Sequence, residues 1–239
     1  MLIHTPQRQR SRALLLTAAA LPPALAVADD VRLRRRLEAA GRDELTGIHR
    51  RQALTDRGNR LLLTDHRADD VLVLLVDCDR FKQINDRHGH DAGDRVLVAL
   101  AGRLHRWCAA RRGLAARLGG DEFGAIVRVP RTDTGRELLA LRARLNKPAP
   151  HAEMLLEVSS SIGATHAADL PGRPWTALLR AADVAMYRVK SGETKFPYLG
   201  TQADATVASI HGRRPGRPGT HLAVPHIAAD RHDGLTRSP

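Results

Sequence analysis

Residues 115–127 read AARLGGDEFGAIV, and this stretch decides the fold. Two short apolar runs flank a pair of glycines, a pattern that predicts a β-hairpin with its turn at Gly119 and Gly120. Glycine has no Cβ, so it can adopt positive φ and lets a phosphate come close to the backbone. The turn leads into Asp121 and Glu122, two acids placed between segments that the pattern predicts to be buried.

A second acidic group follows the apolar run Val71–Val76 in DVLVLLVDCDRF, residues 70–81. Six consecutive apolar residues predict a strand buried on both faces, and the run ends at Asp77. If this strand neighbours the hairpin, the carboxylates converge at one edge of a sheet and repel each other unless a cation compensates. Hard oxygen ligands suit Mg²⁺. The alternative is that these acids are simply exposed in turns.

The residues after Asp77 offer groups that could bind a nucleotide. Lys82 can act as a point charge for phosphate. The amide of Asn85 both donates and accepts, and Asp94 can accept from N1–H and N2–H₂ of guanine, so the pair fits guanine better than adenine. His88 and His90 are ligand candidates, although a lone histidine is more often a surface or packing residue.

The remaining apolar periodicity predicts a mixed α/β chain. Helices are expected from Asp91 onward, over 134–145 and over 174–192, and a strand is expected within 155–166. Because strands and helices alternate irregularly and the hairpin requires antiparallel pairing, the predicted fold class is an α/β (α+β) sandwich. Its central sheet is largely antiparallel and flanked by helices.

Net charge, aromatic content and cysteine count bear on which partners and metal sites the chain could have. The 239 residues carry a formal net charge of +12, with 3% aromatic residues. The charge suggests a polyanionic partner or an anionic membrane surface. A nucleic-acid site would concentrate charge among aromatic residues, so no specific nucleic acid is expected. Cys78 and Cys108 are the two cysteines, too few for a disulfide framework or a CxxC metal pattern.

The two ends of the chain lack the mixed helix and strand pattern of its middle. The apolar run 13–28 lies between arginines, and three alternatives are open for it: a membrane anchor, a cleaved signal peptide or part of a soluble N-terminus. Residues 31–42 predict a short basic linker helix. We therefore expect an N-terminal segment at 1–42, a globular domain at 43–199 and a disordered Pro/Gly/His/Arg-rich tail at 200–239.

Five separated blocks carry a family resemblance: DELTGIHRR (43–51), DCDRFKQINDRHGHDAGDRVL (77–97), RLGGDEF (117–123), SSSIGA (159–164) and AADVAMYRVK (181–190). In order and spacing they resemble the GGDEF domain of diguanylate cyclases. The resemblance implies a fold like the palm of adenylate cyclases and polymerases. It also implies condensation of two GTP molecules into cyclic di-GMP with release of two pyrophosphates, by a homodimer in which each subunit binds one GTP.

The resemblance also assigns roles at the two acidic groups. Asp77 and Asp121 would hold Mg²⁺ or Mn²⁺ together with the backbone carbonyl of Cys78. Asp121 would also be the base for the attacking 3′-hydroxyl, and Glu122 would support the metal site.

By the same resemblance, the nucleotide lies between the hairpin and the helical residues after Asp77. Lys82 would stabilise the phosphates beside the backbone of Phe81, and Lys190 would reach the γ-phosphate. Asn85 and Asp94 would read guanine, with His90 next to the nucleotide. Since GTP and Mg²⁺ are cytoplasmic, the domain is expected in the cytoplasm, with anchoring to the inner face of the membrane left open.

Two departures from the family pattern matter. Ala110 and Gly113 stand where many members have the Arg and Asp of an RxxD product-inhibition site, so no such site is expected. Thr194 stands at a usual phosphate-binding Arg, for which Lys195 is the candidate substitute. The alternative function is therefore a catalytically inactive domain that binds GTP or a protein partner.

Overall fold

The computed structural model describes residues 41–64, 68–172 and 174–207. Residues 13–28, the linker up to residue 40 and the tail from residue 208 lie outside this part, so the expectations placed on them stay predictions. Within the described part, the chain forms a mixed sheet with helices on both faces. This confirms the predicted α+β class.

The central sheet contains five strands in the described residues: β1 (His49–Arg50), β2 (Val71–Cys78), β3 (Leu114–Gly119), β4 (Glu122–Arg128) and β7 (Ser160–His166). A separate hairpin pairs β5 (Ala149–His151) with β6 (Met154–Leu156). The described helices are α1 (Arg51–Thr64), α2 (Phe81–His88), α3 (His90–Ala109), α4 (Thr134–Leu145), α5 (Trp175–Lys190) and α6 (Gln202–Thr206).

The strand order of the central sheet is β1-β3-β4-β2-β7. β1 pairs with β3 in parallel, and the other three pairings are antiparallel. The largely antiparallel sheet and the hairpin formed by β3 and β4 are both as predicted. β2, the strand that precedes Asp77, lies between β4 and β7 and is buried along nearly its whole length.

Alternation along β2 divides the core into two layers, because successive side chains of a strand point to opposite faces. Leu72, Leu74 and Val76 pack in a cluster with α3 and α4. Val71 and Val73 pack in a second cluster with α1 and α5. The same alternation turns Asp77 toward the α5 face.

The predicted elements appear with some changes of boundary. The helix expected from Asp91 begins at His90, so that Asp91 lies in the first turn and Asp94 beyond it. The strand expected within 155–166 is divided, since Met154–Leu156 pairs with β5 and only Ser160–His166 joins the central sheet. The helix predicted over 134–145 is α4.

The C-terminal part of the fold extends further than expected. A disordered tail was predicted from residue 200, whereas residues 200–207 pack on α5, and Asp204 is fully buried. The five-residue helix α6 shows no apolar periodicity. It is instead stabilised by a capping box in which the side chains of Thr201 and Asp204 bond to each other's backbone N–H.

Candidate active site

The two acidic groups lie next to each other at the end of the sheet. Asp77 on β2 is the direct cross-strand partner of Glu122 on β4, and the backbone N–H of Cys78 donates to the carbonyl oxygen of Asp121 at 3.1 Å. Asp77 and Asp121 are 4% and 7% exposed. The convergence of carboxylates that the sequence predicted is therefore present.

Lys190 brings a positive charge into this acidic cluster. It is the last residue of α5, and its ammonium group pairs with the Asp77 carboxylate and lies 3.5 Å from Oδ1 of Asp79. The Asp79 carboxylate is fixed from the other side, because the hydroxyls of Ser159 and Ser161 donate to it at 2.9 and 2.7 Å. Sequence reasoning named Lys190 but missed its pairing with Asp77.

Burial and charge act in opposite directions on these groups. Burial, the largest single effect, raises the pKa of Asp77, and together with the charges of Asp121 and Asp79 it outweighs the hydrogen bond and charge of Lys190, which lower that pKa. Burial alone would lower the pKa of Lys190, but the hydrogen bonds and charges of Asp77 and Asp79 raise it overall. Lys190 is therefore held as a cation beside the acids.

The thiol of Cys78 is buried next to the acidic cluster. Burial, together with the charges of Asp121, Asp77 and Asp79, raises the pKa of the Cys78 thiol to about 12. A thiol that stays protonated is a poor metal ligand. The expected metal ligand at this position is the Cys78 carbonyl oxygen, and that role stays a prediction.

The hairpin turn is held in shape by an arginine that sequence reasoning did not single out. Gly119 and Gly120 have φ values of +151° and +52°. The guanidinium of Arg117 donates to the Gly120 carbonyl oxygen at 3.0 and 2.8 Å and to both oxygens of Asp43 at 3.0 and 3.3 Å. Both residues belong to the family blocks, but their 74-residue separation concealed the pair.

The candidate guanine contacts lie on the two helices that follow β2. Gly93 lets α3 approach α2, because a Cβ at this position would overlap Oδ1 of Asn85 and come within 2.9 Å of its Cγ. That oxygen is buried and accepts no hydrogen bond within the described chain. Asp94, on the residue after Gly93, is exposed. The amide oxygen of Asn85 therefore keeps an unused capacity to accept a hydrogen bond.

The other predicted nucleotide contacts are more open. Lys82 and His90 are exposed, and Phe81 is partly buried against the core. Only two residues separate the end of β2 from the start of α2, so Phe81 and Lys82 lie close to the acidic cluster along the chain. Thr194 is partly buried and donates its backbone N–H to the Arg188 carbonyl oxygen at 3.2 Å.

The donor set fits a hard divalent cation. Within the described ranges, no group of three or more His, Cys, Asp or Glu side chains is arranged to hold a metal ion. Mg²⁺, however, commonly binds through one or two carboxylates, with substrate phosphates and water completing its shell. Asp77, Asp121 and the Cys78 carbonyl meet this smaller requirement with oxygen ligands only.

No helix in the described part of the chain is long and apolar enough to span a membrane. The apolar run 13–28 lies outside that part, so its three alternatives are untested.

Comparison with known proteins identifies the domain. The family described as "Diguanylate cyclase, GGDEF domain" matches residues 40–195. An uncharacterised 19.3 kDa protein of Streptomyces ambofaciens is 45% identical over 66% of this chain and 82% of its own length. The response regulator PleD of Caulobacter vibrioides is 38% identical over 65% of this chain, which spans only 35% of PleD.

Solved structures agree with this assignment. The GGDEF domain of TpbB (YfiN) from Pseudomonas aeruginosa superposes with a TM-score of 0.61 at 34% identity, covering 68% of this chain and 96% of that one. The family match to residues 40–195 includes the hairpin, the acidic cluster and the helix that ends at Lys190. The chain therefore belongs to the GGDEF domain family of diguanylate cyclases.

Proposed function

We propose that this protein is an active diguanylate cyclase, which condenses two GTP molecules into cyclic di-GMP and releases two pyrophosphates. The observation that carries the proposal is the cross-strand pairing of Asp77 with Glu122 beside the buried Asp121. Lys190 compensates part of the negative charge of this acidic cluster, and a divalent cation bound there would compensate the rest and could bind phosphate as well. The protein is proposed to act as a homodimer, with one GTP on each subunit.

Asp77, Asp121 and the Cys78 carbonyl would hold Mg²⁺ or Mn²⁺. When bound, the metal would polarise the phosphoryl oxygens and lower the pKa of the attacking hydroxyl. Asp121 would accept the proton of the 3′-hydroxyl that attacks the α-phosphate of the other GTP. Glu122, the residue that follows Asp121, would support the metal site with its negative charge.

The remaining chain groups bind and orient the nucleotide. Lys190 is held as a cation and would turn toward the γ-phosphate, while Lys82 would neutralise charge nearer the reacting phosphate. Asn85, with its unpartnered buried oxygen, and Asp94 would accept from guanine, and His90 would lie beside the base or sugar. Gly119 and Gly120 would let the phosphates approach the hairpin backbone. Because GTP and Mg²⁺ are cytoplasmic, the domain would face the cytoplasm.

The test uses the full-length protein and a matched pair of variants. Wild type incubated with GTP and Mg²⁺ is expected to form cyclic di-GMP, detected by chromatography, and chelation of the metal is expected to stop it. Asp121→Asn is expected to lower the rate at least about a hundredfold, since even outer-shell partners of a metal can cost that much. The control Asp56→Asn alters an exposed acid on α1 and should keep the wild-type rate.

Wild type that binds GTP but forms no product, in dilute solution and at high protein concentration alike, would contradict the proposal. That result would favour the alternative of a GTP-binding module. Product formation by Asp121→Asn at the wild-type rate would contradict the role given to the acidic cluster.

A further inference from the structure

The described chain continues for twelve residues beyond the family match, which ends at residue 195. This extension turns back toward the sheet, where Leu199 bridges to Ala164 in β7 and the Gly200 N–H donates to the Ala164 carbonyl oxygen at 2.8 Å. Gly200 also lies against α5, since a Cβ there would overlap the Ala181 carbonyl oxygen. We call residues 198–207 the C-terminal clasp.

Asp204 is the centre of the clasp. Its side chain is fully buried, and its Oδ2 accepts three hydrogen bonds. Thr201 donates from its backbone N–H at 2.8 Å and from its hydroxyl at 2.9 Å, and the Tyr198 hydroxyl donates at 3.0 Å. Burial, then the hydrogen bond and charge of Asp204, raise the pKa of Tyr198, so the phenol stays protonated and continues to donate.

The clasp is joined to α5 through Arg188. Nη1 of Arg188 lies 3.1 Å from Oδ1 of Asp204 and donates to the Tyr198 hydroxyl at 3.0 Å. A fully buried carboxylate needs such a counter-charge, and removing one partner of a buried pair is strongly unfavourable. Arg188 lies in the last turn of α5, two residues before Lys190.

The end of α5 needs an anchor if Lys190 is to stay in place. Helix ends fray, and Lys190 is the final helical residue, followed closely by Gly192 with φ of +82°. A lysine side chain also loses substantial conformational entropy when it is held in one position. The contacts of Arg188 restrain the turn from which Lys190 reaches Asp77 and Asp79.

We propose that Asp204 is a positioning residue for the active site. Through Tyr198 and Arg188 it fixes the last turn of α5, and so keeps Lys190 beside the acidic cluster, within reach of a triphosphate bound there. The inference rests on the proposed function, because it takes Lys190 to bind the triphosphate of GTP. It adds a segment outside the family match to the residues that determine nucleotide affinity.

A double-mutant cycle in the full-length protein tests this. Asp204→Asn removes the charge that pairs with Arg188 but keeps the size of the side chain. It is expected to raise the KM for GTP about five- to tenfold with little change in kcat, and to have no further effect when Lys190→Met is already present. Tyr198→Phe should give a smaller change of the same kind. Equal losses in both backgrounds would mean that the clasp only stabilises the fold, and would overturn the proposal.

Hydrogen exchange gives a measurement that needs no turnover. Amides of residues 188–192 are expected to exchange faster in Asp204→Asn than in wild type, by about tenfold or more. The control Asp133→Asn, which removes an exposed ion pair with Arg136 at the start of α4, should leave them unchanged. Unchanged exchange in Asp204→Asn would overturn the proposal. If wild type makes no cyclic di-GMP, the proposed cyclase function fails, while this exchange result still decides whether Asp204 anchors α5.

Discussion

Gly93 shows how a single missing side chain can control a candidate guanine contact. Its backbone packs on Asn85, where a Cβ would overlap the amide oxygen and lie 3.1 Å from the ring of Phe81. The group in the way is the end of a short side chain that can rotate, so an added methyl should displace the amide rather than disrupt the fold. A substitution at Gly93 is therefore expected to change nucleotide affinity without a large change in the stability of the fold.

We expect Gly93→Ala to weaken GTP binding about tenfold, measured calorimetrically, while the melting temperature changes little. One hydrogen bond made to a properly placed polar partner accounts for a loss of this size. The control Gly102→Ala lies in the same helix, where the nearest atom is the guanidinium nitrogen of Arg106 at 3.3 Å. It should keep GTP affinity and gain roughly 0.5–1 kcal/mol of stability. Wild-type GTP affinity in Gly93→Ala would contradict the role given to Asn85.

At the scale of elements, His166 ties the edge strand β7 to the start of α4. It is fully buried, and its Nε2 lies 2.7 Å from the hydroxyl of Thr134. With the hydroxyl donating to the Pro130 carbonyl oxygen at 3.1 Å, the Nε2–H tautomer of His166 donates to Thr134. Burial lowers the pKa of His166 below its ordinary 6.5, although the charges of nearby acids oppose the shift.

This arrangement predicts a loss of stability in mild acid. The unfolded chain protonates His166 near pH 6.5, whereas the folded protein resists protonation until a lower pH, so the unfolded state binds more protons in between. The free energy of unfolding should therefore fall as pH drops from about 6.5 toward the folded-state pKa, by at most about 1.4 kcal/mol per pH unit.

Chemical denaturation of His166→Gln at several pH values checks this, because glutamine keeps a donor for Thr134 but does not titrate. We expect the difference in unfolding free energy between wild type and this variant to shrink as pH falls from 7 to 5. The control Asn59→Ala, at an exposed position on α1, changes no titratable group and should show no such trend. A pH-independent difference for His166→Gln would contradict the prediction.

The elements also show where sequence reasoning stops. β2 was predictable because its unbroken apolar run indicates a buried strand. The core-facing side of α3 was predictable because its apolar residues recur with the 3.6-residue period of a helix. The pairing of Lys190 with Asp77 spans 113 residues, and that of Arg117 with Asp43 spans 74. Ion pairs between residues so far apart produce no periodic pattern in the sequence that would predict them. Helix α6 was not predicted either, because two polar side chains stabilise it and it has no apolar periodicity.

At the scale of the whole molecule, the sequence predicts that residues 110–113 form no RxxD product-inhibition site. Ala110 is exposed at the end of α3, and a Cβ at Gly113 would overlap the Ile126 carbonyl oxygen in β4. The neighbouring Arg111 is already engaged, since it stacks 4.3 Å from the ring of Trp107 and pairs with Glu137. Its guanidinium is therefore not free to replace the missing Arg.

We therefore expect cyclic di-GMP to leave kcat unchanged at saturating GTP. An allosteric product site typically couples to the active site by about 5- to 150-fold, a change that initial-rate measurements across a product titration would resolve easily. Any inhibition should be competitive with GTP, and a non-hydrolysable GTP analogue provides the positive control for that pattern. A decrease in kcat that excess GTP does not reverse would show that product binds elsewhere and that the losses at Ala110 and Gly113 do not remove feedback from this enzyme.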